Sequence, residues 1–169
     1  MASGGAADLR RVDPALLHLA DRLVLNDVDP DALARLPPVT CAQTAAAPGN
    51  ILRTVAHLAA DRGPFDLFLA GGLFDYLEER SARALIRTTL SRLCRPGSTF
   101  YFSGIATPSP YAALMTHIGR WYLVERTCAD IEADVHAAAP PGTVAGLDVT
   151  ADAAGLTLFA TVRRADEPG

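Results

Sequence analysis

Apolar positions along this chain recur in two rhythms, one of period two or unbroken, the other of period 3.6. Residues 6–22 carry Leu9, Val12, Leu16, Leu17, Leu19 and Ala20, a helical spacing. Pro14 must sit in a first turn there or break the helix in two. The short run Leu23–Asp27 reads as a strand ending in acids, and Asp29–Pro30 as the N-cap and first residue of a short helix. Val39–Ala42 is a weak strand. Ile51, Leu52, Val55, Leu58 and Ala59 form a helical stripe closed by Gly63. Phe65–Ala70, apolar but for Asp66, is read as a buried strand. A long helix is expected from Leu77 to Pro96–Gly97, then a strand over Ser98–Ile105. Pro108–Gly119 and Thr127–Ala138 are read as helices. Gly142–Thr150 and Gly155–Arg164 alternate around Ala151–Gly155 as a hairpin.

Strands alternating with helices imply an α/β fold, a Rossmann-like and mostly parallel sheet covered on both faces, with the terminal hairpin adding an antiparallel strand. The length of 169 residues suits one domain, expected over 1–164 with 165–169 as a disordered tail.

Composition narrows the class. Net charge is −4, and every basic residue is an arginine, none arranged in a stripe, which argues against a nucleic-acid partner. No apolar run reaches the ~18 residues of a membrane helix, and the first residues lack a secretory apolar region. A cytoplasmic protein is expected, with no membrane partner. Cys41, Cys94 and Cys128 are odd in number and widely spaced, so buried free thiols are expected.

Ligands of open α/β sheets bind at the carboxyl ends of the strands. Four segments meet that description here. Gly4 and Gly5 precede the first helix, where bare backbone and free N–H groups suit a carboxylate or phosphate; the alternative is a floppy start. Asp27 lies 22 residues after Gly5, a distance suited to ribose hydroxyls, or else it caps a helix with Asp29. Asn50 presents an amide to an adenine edge or is an N-cap. Gly71, Gly72, Leu73, Phe74, Asp75 and Tyr76 follow a buried strand, and apolar residues in such a loop line a pocket or pack beneath it. His117 is a candidate base or a surface histidine. No histidine forms a metal-ligand spacing with an acid or thiol, so no metal is expected.

The segments Ser-Gly-Gly-Ala-Ala-Asp-Leu, Leu-Asn-Asp-Val-Asp, Gly-Leu-Phe-Asp-Tyr-Leu and Arg-Trp-Tyr-Leu-Val-Glu-Arg-Thr together resemble class I S-adenosylmethionine-dependent methyltransferases. The similarity runs over nearly the whole chain and is greatest to a bacterial branch carrying the Gly-Leu-Phe-Asp-Tyr-Leu motif. It implies S-adenosylmethionine as cofactor. Gly4 and Gly5 would lie against its methionine part, Asp27 would hold its ribose and Asn50 would touch its adenine. Gly71, Gly72 and Leu73 would flank the sulfonium. Phe74, Asp75, Trp121 and Tyr122 would bind the acceptor, with Tyr76 and His117 as catalytic groups.

The family places an apolar strand before the glycine loop, at the centre of a sheet ordered 3-2-1-4-5-7-6. Only Met1 and Ala2 precede Ser3 here. A gap in a buried sheet leaves backbone groups unpaired. Three outcomes are open: a start upstream, a strand donated by a partner or second copy, or direct pairing of the flanking strands. The functional expectation is methyl transfer to a small molecule at oxygen, nitrogen or carboxylate. The alternative is a truncated, non-catalytic partner subunit. A nicotinamide oxidoreductase fits less well, because the third glycine of the dinucleotide fingerprint is absent.

Overall fold

The computed structural model describes residues 3–4, 6–35 and 43–166. It divides into two compact units, Met1–Thr54 and Val55–Gly169. Gly5, Cys41 and the strand expected at Val39–Ala42 lie outside the described residues, as do residues 167–169.

In the first unit, Pro14 breaks the expected helix. A 3-10 turn at Ala7–Arg11 is followed by α1 (Pro14–Leu17). Asp13 caps α1 by accepting a hydrogen bond from Ala15 N at 2.9 Å, and Pro14 occupies the first helical position, where no N–H is needed. β1 (Arg22–Asp27) runs parallel to β2 (Gln43–Pro48), in register from Arg22 opposite Gln43 to Asp27 opposite Pro48. α2 (Pro30–Ala34) lies between them in sequence and is capped by Asp29, whose carboxylate accepts from Asp31 N at 2.9 Å. Ala6, Leu25 and Leu33 form this unit's small core, with Leu9 and Leu23 packed against it. The unit boundary falls within α3 (Ile51–Asp61).

The second unit is built on one four-stranded sheet of order β3-β4-β6-β5, with β3 (Phe65–Ala70), β4 (Cys94–Ile105), β5 (Val144–Ala151) and β6 (Thr157–Arg164). β3 and β4 are parallel; β6 runs antiparallel between β4 and β5. The hairpin therefore inserts its second strand beside β4, the four-five-seven-six order of the resemblance.

Register puts Phe68, Phe100 and Val162 on one face with Ala70, Phe102 and Ala160. All six are buried. Phe68 and Phe100 meet edge-on, and Phe100 and Phe102 are 5.0 Å apart. α4 (Glu79–Thr88) and α6 (Cys128–Ala138) pack on each other, and α6 packs on β5. The opposite face carries Leu67, Leu69, Tyr101 and Phe159. Leu67 and Leu69 are about half exposed, at 55% and 51%. Tyr101 and Phe159 stack at 5.9 Å, and desolvation raises the Tyr101 pKa.

The long helix expected up to Pro96–Gly97 is shorter than its sequence suggested. α4 ends at Thr88, passes through a π turn over Thr89–Leu93, and β4 has begun by Cys94. The reason is a bulge: the β3–β4 register jumps between Phe65 opposite Cys94 and Leu67 opposite Thr99. Gly97, at φ 75°, supplies the left-handed residue that a bulge of this kind requires. Cys94 is buried and Cys128 partly buried, both free. In the expected disordered tail, Ala165 N donates to Thr143 O at 2.8 Å. No helix among the described residues is long and apolar enough to cross a membrane.

Thr127 opens α6 with a capping box: its hydroxyl accepts from Asp130 N, and the Asp130 carboxylate accepts from Thr127 N at 2.8 Å. The Thr127 N–H and hydroxyl, both donating to that carboxylate, hold the Asp130 pKa below the ordinary carboxylate value. A depressed acid stabilises the fold above its unfolded pKa and loses that contribution as pH falls through its folded pKa. Thr127→Ala should cost about 1 kcal/mol at neutral pH in urea denaturation. The gap between variant and parent should narrow, by the share of the hydroxyl-to-carboxylate bond alone, as pH falls through the Asp130 titration.

Candidate functional site

The carboxyl end of β1 is organised by two buried polar residues. Asp27 accepts Gly4 N on Oδ2 at 2.7 Å and Asp29 N on Oδ1 at 2.9 Å. Asn26 donates from Nδ2 to Ala47 O at 2.7 Å and Gly49 O at 3.0 Å, while its own carbonyl accepts from Ser3 N. The Asp27 carboxylate thus fixes the loop containing Gly4, whose φ is 52°, and one lone pair on each oxygen is taken by the chain itself. Asn50 is an N-cap: its Oδ1 accepts from Leu52 N at 2.9 Å, so the side-chain oxygen is committed to α3. Gly5 lies outside the described residues.

The loop after β3 is tied down at five points. Gly72 N donates to Ser103 Oγ at 3.0 Å. Asp75 Oδ1 accepts from Ile105 N at 2.7 Å, and the Asp75 carbonyl accepts from Val124 N at 2.8 Å. The Arg126 guanidinium donates to Phe74 O at 2.8 Å and to Leu77 O. Leu73 precedes the short 3-10 turn Phe74–Tyr76. Phe74 corrects the expectation of a substrate contact. It is 1% exposed and stacked on Phe102 at 4.2 Å, so its ring supports the loop from the core. Between the ends of β3 and β4, burial raises the Asp75 pKa, against the lowering effects of the Ile105 N–H and of Arg126.

Residues 107–125 make an excursion between β4 and α6. Its base is closed by the parallel bridge of Ala106 with Arg126, by Thr107 N donating to Arg126 O, and by Ser109 N donating to the Glu125 carboxylate. It carries α5 (Ala112–His117), which buries no residue. Trp121 and Tyr76 are brought together: Trp121 Nε1 donates to Tyr76 Oη at 3.0 Å, with both rings about half exposed. Tyr122 follows, exposed. His117 is exposed at the end of α5, and no bond joins it to Tyr76 among the described residues.

Arg126 and Asp134 are the site residues that sequence reasoning missed. Both are buried, at 5% and 6% exposure, with Arg126 Nε 3.7 Å from Asp134 Oδ2. Asp134 also accepts from Arg83 Nε at 2.8 Å. A signal existed: Ile131, Asp134, Val135 and Ala138 form the i, i+3, i+4, i+7 stripe of α6, so an acid falls on an apolar face. A carboxylate there demands a cation. Among the described residues, no cluster of His, Cys, Asp or Glu has the makings of a metal site.

Two outcomes follow. Arg126→Met should destabilise the protein by about 3–5 kcal/mol in urea denaturation, because it strands two carbonyls and a buried carboxylate; adding Asp134→Leu should restore part of the loss. Asp75 behaves oppositely. A carboxyl whose pKa is raised by folding weakens the fold as pH rises through its titration. Asp75→Asn keeps an oxygen for Ile105 N, so at neutral pH it should be as stable as the parent or more stable. Thermal melts at pH 4 and pH 7 check this, the advantage appearing at the higher pH.

Comparison with known proteins bears on fold alone. No protein-family model matches the chain, and no curated protein matches it. Solved structures do. A possible exported protein from Bordetella parapertussis is 19% identical over 97% of this chain and 60% of its own, with a TM-score of 0.72. The N-methyltransferase NodS from Bradyrhizobium japonicum is 20% identical over 98% of this chain and 83% of its own, at 0.60. Human N-acetylserotonin methyltransferase, in complex with S-adenosylmethionine, is 11% identical over 98% and 46%, at 0.68. This chain thus spans from under half to about four fifths of these neighbours. Its fold is the mixed α/β, Rossmann-like fold shared with S-adenosylmethionine-dependent methyltransferases.

Proposed function

We propose that this chain transfers a methyl group from S-adenosylmethionine to a small-molecule acceptor. The observation that carries the reading is Gly71. It has no positive φ to demand glycine, and a Cβ built on it would meet nothing within 4 Å. The fold would therefore accept a side chain there, and the bare backbone has its reason in a ligand. Gly72 differs, since its φ of 67° already favours glycine.

In this reading the chain's residues bind and orient. Gly71, Gly72 and Leu73 flank the sulfonium. For the first unit, the resemblance implies cofactor contacts at Gly4, Gly5, Asp27 and Asn50, and Asp27 keeps a lone pair on each oxygen with which to accept from ribose hydroxyls. When bound, the cofactor supplies an electrophilic methyl carbon. Asp75, Tyr76, Trp121 and Tyr122 face the acceptor. Tyr76 and His117 are the proposed proton-handling groups, and alignment with exclusion of water does the rest.

Calorimetric titration with S-adenosylhomocysteine tests this directly. Saturable binding is expected. Gly71→Leu should leave the thermal melt unchanged while weakening binding at least about tenfold, a loss of roughly 1.4 kcal/mol. Asp27→Ala should weaken it by about 1–3 kcal/mol, the range for hydrogen bonds to a charged group. No binding by the parent, or full affinity in Gly71→Leu, would sink the proposal.

A further inference from the structure

We infer that the second unit carries an ammonium-binding site, formed by the Asp75 carboxylate with the Tyr76, Trp121 and Tyr122 rings, so that the acceptor is an organic amine. The inference deepens the methyl-transfer reading, and rests on it only in taking the ligand to be the methyl acceptor.

Two short segments, 75–76 and 121–124, supply every part of the site. They are pinned together twice, by Val124 N on the Asp75 carbonyl at 2.8 Å and by Trp121 Nε1 on Tyr76 Oη at 3.0 Å. Trp121 is held from its other side by its own N–H on Met115 O at 2.9 Å. Tyr76 and Trp121 therefore stand about half exposed and joined edge to edge, with the Asp75 carboxylate on the neighbouring residue of one and the exposed Tyr122 next in sequence to the other. Exposed rings bonded edge to edge through polar atoms keep their faces for something else.

Asp75 supplies the charge. Oδ1 is anchored by Ile105 N, and Oδ2 has no hydrogen-bond partner among the described residues. Burial already penalises its charge. The one buried cation nearby, Arg126, is committed to Phe74 O, Leu77 O and Asp134, behind the loop. Glu125 is engaged with Ser109 N, and Arg120 and His117 are exposed on the excursion.

A neutral apolar ligand covering these rings would deepen the desolvation of Asp75 without relieving it. A carboxylate ligand would add like charge. An ammonium meets both requirements, since a cation is attracted to aromatic faces and to the free oxygen alike. For transfer the ammonium would first give a proton to Asp75 Oδ2; the freed nitrogen lone pair would then form the N–C bond as the methyl–sulfur bond of the cofactor breaks, and the methylated amine, again cationic, fits the same site once Asp75 passes its proton to solvent.

The probes are trimethyl(2-phenylethyl)ammonium, 3-phenylpropionate and 3-phenylpropanol, which share an aryl group and differ in charge. Trp121 is the chain's single tryptophan, so its emission reads the site without a label. The ammonium should quench it saturably, and calorimetry should find the carboxylate at least about tenfold weaker. Asp75→Asn should weaken the ammonium about tenfold and leave the alcohol unchanged. Trp121→Leu, which removes one half-exposed ring, should weaken the ammonium by calorimetry while circular dichroism shows the fold retained. Equal binding of ammonium and carboxylate, or full ammonium affinity in Asp75→Asn, overturns the site. S-adenosylhomocysteine titrated into the same samples reports separately on methyl transfer. Ammonium binding without it keeps the site and removes the methyl-transfer reading.

Discussion

The second unit depends on one buried charge. A guanidinium cannot shed its proton inside a protein, so Arg126, at 5% exposure, must be met by acceptors from every side. It is met by the carbonyls of the loop after β3, by the carboxylate on the inner stripe of α6 and, through that carboxylate, by Arg83 of α4. One side chain thereby joins two helices to the loop at the carboxyl edge of the sheet. Its own backbone closes the base of the 107–125 excursion. The loop and the excursion are consequently positioned by the same residue, and the geometry of Asp75 and Tyr76 follows from it. Such a pair need not add net stability over a well-packed apolar replacement. What it adds is specificity, since few other conformations would bring the Phe74 and Leu77 carbonyls and the Asp134 carboxylate around one guanidinium.

The elements with strong periodicity were readable in the chain. The run Phe65–Ala70 and the alternating segments around residues 151–155 are strands where apolar spacing places them, and Asp29 caps α2 as its position before Pro30 suggests. What escaped was decided by contacts distant in sequence. Helical spacing persists from Leu77 to Leu93, but pairing of Cys94 with Phe65 recruits the following residues into β4, and Gly97 accommodates the bulge instead of ending a helix. The stripe over residues 6–22 is real, yet Pro14 and the Asp13 cap reset the chain halfway.

The site was partly legible for the same reason. Glycines and acids at strand ends are local signals, and Asp27 and Gly71 stand at such ends. The roles of other residues were not local. Phe74 sits in a glycine-opened loop by sequence but stacks on Phe102, which lies 28 positions away. The contact between Tyr76 and Trp121 spans 45 positions, and only the fold of the excursion creates it. The apolar stripe of α6 flags Asp134 as buried, but nothing near it in sequence names Arg126 as its partner.

The outer face of the four-stranded sheet has a practical consequence. Leu67 and Leu69 stand beside the stacked Tyr101 and Phe159, presenting apolar surface while the protein is fully folded. Dyes that brighten on apolar surface, such as anilinonaphthalene sulfonate, ordinarily mark loss of packing. Here they will find a landing place on the native state, and a dye-monitored melt will start from a bright baseline and show a shallow rise. Circular dichroism follows the helices instead and is blind to that face, so the difference between the two traces becomes a measure of how much of the sheet is covered in any given preparation.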